Sequence, residues 1–152
     1  MSYPSIYLRS TTNELIERIQ KLDAESQPQW GKMNVGQMLS HCCVPYQQIL
    51  GEDTTTPNFF VRTILKIFLK KSMTNEVPYK QNLPTGPNYI RNTNHDFEEE
   101  KARLIDYIQQ IEKMGPENLS KIPSKFLGKL TAQEWSNQLY KHLDHHLQQF
   151  GV

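Results

Sequence analysis

Apolar side chains recur at intervals of three and four along four stretches of this chain, the spacing that lines one face of an α-helix. Leu15, Ile19 and Leu22 form the first stripe, and Val35, Met38, Cys42 and Ile49 the second. Phe97, Leu104, Ile108 and Ile111 form the third. The fourth is Trp135, Leu139, Leu143 and Phe150, which fall within an arc of roughly 80° when each residue turns the helix by about 100°. Three of the four open with a capping box: Thr11 with Glu14, Asn34 with Gln37, and Thr131 with Glu134. The third begins near Asp96 and stops at Gly115-Pro116. No stretch alternates with the period of a strand. The pattern predicts an all-α four-helix bundle, a single domain over residues 1–152, with an additional short helix between its second and third long helices.

That additional helix, FFVRTILKIFLKKSM over residues 59–73, is basic and amphipathic, with Arg62, Lys66 and Lys70 at i, i+4 and i+8. Helices at a membrane surface have this form. The expectation here is packing: Phe60, Ile64 and Phe68 turned onto the bundle and the charges left in water. The following VPYKQNLPTGPNY, with three prolines and a glycine, predicts an extended strap of the kind that borders sites, through Tyr79, Lys80 or Tyr89.

Composition narrows the function classes. A formal net charge of +1 lacks the basic excess of a dedicated nucleic-acid binder. No apolar stretch approaches the length of a membrane span, and MSYPSIYLRS lacks the charged and apolar regions of a secretory signal. The two cysteines, Cys42 and Cys43, are adjacent and cannot staple distant segments, which fits a reducing, cytoplasmic setting. Cys42 falls on the apolar stripe and Cys43 about 100° round the helix, so the pair reads as core rather than as a soft-metal site. A homodimer is compatible with all of this.

The candidate chemistry lies in the histidines. His142 and His146 stand one helical turn apart and point into the fourth stripe, with His145 on its flank. Two buried imidazoles need partners; a shared metal ion supplies both, and satisfied core histidines are the plainer alternative. His41, at the edge of the second stripe, can face the same interior. Pro45, four residues on, cannot donate to the His41 carbonyl, so the helix should loosen there or end. His95, in the polar NTNHDF loop, reads as solvated or as a cap.

The segments QPQWGKMNVGQMLSHC, PYKQNLPTGPNYIRNTNHDFEEEKARL and GKLTAQEWSNQLYKHLDHHLQQFGV resemble an uncharacterised domain family within the DinB-like superfamily of metalloenzymes. The resemblance implies a four-helix bundle holding a metal on one histidine of the second helix and on the first and last of an H-x-x-H-H motif, here His41, His142 and His146. Superfamily members commonly carry Arg-Gly-Gln after the paired histidines, where this chain has Leu147, Gln148 and Gln149. The superfamily includes glutathione-like thiol transferases.

A three-histidine site would suit zinc or nickel, and iron or manganese also. It leaves a position for water or a small thiol, which points to a transferase or hydrolase acting on a small molecule. A nucleophile elbow is absent, and Leu143 stands where zinc proteases place glutamate. The general base, if there is one, is a glutamate or His145. Two other readings stand beside the enzyme: a non-catalytic ligand-binding or stress-response bundle, and a membrane-peripheral module built on residues 59–73.

Overall fold

The structure, a computed structural model, describes residues 2–86 and 89–152. Pro87 and Asn88 of the strap lie outside the described residues. Among the described residues six helices follow one another: α1 (Arg9–Gln20), α2 (Val35–Leu50), α3 (Phe59–Phe68), α4 (Lys70–Thr74), α5 (Phe97–Leu119) and α6 (Ala132–Gln149). Among the described residues there is no strand, only an isolated bridge between Ser124 and Gly128 in the α5–α6 connection. The protein is all-helical, as its periodicity predicts.

The local signals for α2 and α6 are realised in full. Asn34 accepts from the Gln37 N–H while the Gln37 side chain takes the Asn34 N–H, and Thr131 and Glu134 repeat the arrangement. Asp96 caps α5 by accepting from the Glu99 N–H. The first helix differs, because it starts two residues before Thr11 and buries Thr11 and Thr12 inside its first turns. Contacts outside the helix set that start: the Ile6 N–H donates to Ser136 Oγ at 3.1 Å and the Tyr7 hydroxyl to the Ala132 carbonyl at 2.8 Å. Pro45 does not end α2, which runs on to Leu50 and a left-handed Gly51. Gly115 breaks α5 at φ 76°, which a side chain would resist, and Pro116 opens one further turn.

α1, α2, α5 and α6 share one apolar core, and all four predicted stripes lie in it. Yet α2 and α6 are buried well beyond their stripes. Trp135 through Lys141 are all buried, and so is almost every residue from Val35 to Tyr46. Leu139, Leu143 and Leu147 are at most 1% exposed, and each contributes about 1.5–3 kcal/mol of apolar transfer. The buried length of α6 carries two of the predicted histidines.

The additional helix departs from expectation. It is two consecutive helices, and α3 has no buried residue. Phe60 is 73%, Ile64 43% and Phe68 72% exposed, so the predicted packing of these three side chains does not occur. The reason lies in what α3 and α4 rest on. The surface of α6 beneath α4 is polar, and it holds α4 by hydrogen bonds: Asn137 Nδ2 to the Thr74 carbonyl at 2.9 Å and Lys141 Nζ to the Ser72 carbonyl at 2.6 Å. Lys70 Nζ reaches the Lys129 carbonyl at 2.9 Å and Glu134 at 3.3 Å, and the Lys66 stem lies over Gly128. Lys66 and Lys70 thus lean on the α5–α6 connection, Leu65 is half-buried, and Arg62 and the stripe of Phe60, Ile64 and Phe68 are left exposed.

Candidate metal centre

His41 reaches the interior because the start of α2 is pinned on both sides. Beyond the capping box, Gln37 Nε2 donates to the Thr93 carbonyl at 3.3 Å. Gly36 lets the His95 carbonyl approach so closely that a Cβ there would lie 2.6 Å from it. Later on α2, His41 is 4% exposed, with Nδ1 2.9 Å from the Tyr89 carbonyl oxygen of the strap. A carbonyl only accepts, so His41 carries its proton on Nδ1 and presents the Nε2 lone pair.

α6 delivers the other two. His146 is 8% exposed and its Nδ1 lies 2.8 Å from Gln149 Oε1. Gln149 Nε2 donates to the Trp30 carbonyl at 2.7 Å, which fixes the amide so that Oε1 must be the acceptor for His146. His146 therefore also presents Nε2. His142, half-buried, sets its Nε2 2.9 Å from His41 Nε2. One ligand atom from each of His41, His142 and His146 can be chosen so that all lie within 4.8 Å of one another. These three could hold a metal ion, and the ring nitrogens of two are already oriented by partners behind them.

Electrostatics favour neutral, ligating imidazoles. Burial lowers the pKa of all three, and the neighbouring histidines push His142 and His146 down further. His142 lies well below its usual range and His146 falls to about 3. Tyr89 lies edge-on to His41 at 5.7 Å between ring centres and meets Phe126 at the same distance. Trp30 and Tyr79 each stand 5.7 Å from His145.

His145 is half-buried beside His146, with ring centres 5.2 Å apart, and is not one of the three converging donors. Cys42 and Cys43 are buried free thiols outside the cluster, their pKa values raised by burial. His95 is neither freely solvated nor the cap of α5. It pairs with the buried Glu100 at 3.5 Å, and Asp96 is the cap. In the strap, the Tyr89 backbone and the Tyr79 ring border the histidines, while Lys80 is exposed. Gln149 and Lys141 escape a reading by residue type. Gln149 had one available signal, its place one turn beyond His146.

The family described as Protein of unknown function (DUF1569) matches residues 8–151, and the chain belongs to it. No curated protein and no solved structure matches the chain.

Proposed function

We propose that this DUF1569 family member is a metal-dependent enzyme acting on a small molecule. Its single domain, residues 1–152, is read as a four-helix bundle of α1, α2, α5 and α6 in the manner of the DinB-like superfamily, with α3 and α4 inserted. One observation carries the reading: three imidazoles from two helices converge, and His41 and His146 have their Nδ1 protons committed to Tyr89 and Gln149. That donor set fits zinc or nickel, and iron or manganese also. Three nitrogens leave a coordination position for water or a thiol.

A metal bound there supplies Lewis acidity and lowers the pKa of a bound water or thiol, the chemistry of hydrolysis or thiol transfer. The chain's own residues do the rest. Tyr89 and Gln149 hold the tautomers of His41 and His146. Trp30 anchors Gln149, and the aromatic rings of Trp30, Tyr79, Tyr89 and Phe126 exclude bulk water around the histidines.

The test begins with elemental analysis of protein purified without an affinity tag, where about one metal ion per chain is expected. Cobalt substitution followed by titration with small thiols should then give a sulfur-to-cobalt charge-transfer band. Absence of any spectral response to thiols, halides or azide would remove the open position and with it the enzyme reading. A second reading has its own observation: at 2.9 Å, His142 and His41 can satisfy each other directly. Persistent absence of metal would favour that non-catalytic bundle.

A further inference from the structure

Among the described residues, none buries the apolar stripe of α3. Phe60, Val61, Ile64, Ile67 and Phe68 fall within about 60° either side of Ile64 at 100° per residue, and they range from 42% to 73% exposed. Phe59, 86% exposed, lies about 140° from Ile64 and is separate from the stripe. Two phenylalanines, two isoleucines and a valine exposed to this degree make up several hundred Å², comparable with the largest apolar patch on a typical monomer, about 300–600 Å². Lys66 of α3 lies over Gly128, and Lys70, at the start of α4, meets Lys129 and Glu134. Rotation of α3 to bury the phenylalanines would draw Lys66 away from Gly128.

Charge selects the occupant. Residues 54–75 hold four of the chain's 17 basic residues, Arg62, Lys66, Lys70 and Lys71, and none of its 16 acidic ones. A two-fold pairing of α3 with a second copy would bring two such segments together, like against like. An anionic surface would be attracted, and its apolar interior would take the phenylalanines. Phenylalanine and isoleucine on one face with arginine and lysine on the other is the composition of a helix lying in a lipid interface. A cleft of about 310 Å³, lined by Lys66, Ile67, Lys70 and Lys71 and by Glu134, which pairs with Lys70, opens beside the stripe. Among the described residues no helix is long and apolar enough to cross a membrane, so the contact is peripheral.

We propose that α3 and α4 dock this protein on an anionic phospholipid surface, with the α3 stripe inserted at the headgroup boundary and the basic residues of 62–71 drawn to lipid phosphates. Sedimentation of the full chain with vesicles of phosphatidylcholine and phosphatidylglycerol tests this, with pure phosphatidylcholine vesicles as control. Strong binding to the anionic vesicles is expected, with at least about tenfold weaker binding to the neutral ones and at raised salt. The double substitution Phe60→Ser with Phe68→Ser should weaken binding by about tenfold or more. Its helical circular dichroism should remain, because both side chains are already in water. Lack of binding to anionic vesicles, or binding indifferent to the double substitution, would overturn the proposal. So would light scattering that finds a lipid-indifferent dimer which the double substitution dissolves, since the stripe would then belong to a second copy.

Discussion

Replacing Gln149 by leucine isolates what the ring partners of the histidines contribute. Gln149 is 4% exposed and makes two bonds with opposite ends of its amide, accepting from His146 Nδ1 at 2.8 Å and donating to the Trp30 carbonyl at 2.7 Å. Leucine fills nearly the same volume and makes neither. Without metal, the loss leaves two polar groups without these partners and should cost about 1–3 kcal/mol of stability. With metal, His146 loses the contact that sets its tautomer and ring angle, and affinity should fall about 10–100-fold, or about 1.4–2.7 kcal/mol. Gln149→Glu separates the two effects, because a carboxylate still accepts from His146 but cannot donate to Trp30. It should keep affinity within a few-fold of wild type while losing stability. Competition against a chromogenic chelator measures the first quantity, and urea unfolding in excess chelator the second. Wild-type metal affinity in Gln149→Leu would refute the orienting role assigned to this side chain.

Substituting His41, His142 or His146 by alanine should abolish metal binding, while His145→Ala should leave stoichiometry near wild type; equal loss from His145→Ala would defeat the assignment. Acid should destabilise the metal-free protein. The three histidines have folded pKa values below the unfolded value of about 6.5, so the unfolded chain binds protons first as pH falls. Their contribution is full above about pH 6.5 and is lost toward the folded value, about 3 for His146, at up to about 1.4 kcal/mol per pH unit per histidine. A urea midpoint in chelator that stays level from neutral pH to pH 5 would contradict this, and bound metal should be retained until the pH falls well below the usual imidazole range, since the folded ligands protonate late. Leu139→Ala, at a side chain 1% exposed in the centre of α6, should cost about 2–5 kcal/mol by calorimetry or urea unfolding.

The histidine cluster was legible because it rests on local rules. Capping boxes set where α2 and α6 begin, and the helical repeat then aims His41, His142 and His146 at one interior. The Tyr89 carbonyl could not be found this way, since any residue supplies a carbonyl and only tertiary placement brings that one to His41. α1 was misplaced at its start because Ile6 and Tyr7 bond to α6, a contact with no local signature. The orientation of α3 was lost for a related reason. Periodicity says that a helix has an apolar side, and the surface it meets decides which way that side turns. Here the adjoining α4 meets Asn137 and Lys141 of α6, which donate to its backbone carbonyls and offer no apolar surface.

His41 and His142 meet across 101 positions of sequence. Closing so long a loop carries an entropic cost that local contacts do not repay, so the three-nitrogen arrangement forms only once α2 and α6 have docked. Of the three converging ligands, an unfolded chain keeps only His142 and His146 close together, a far weaker site. An ion held by all three would act as a clip between distant parts of the chain. Its occupancy would report global folding, and exchange of the α6 amides around it should proceed through opening of the whole core rather than fraying of one helix.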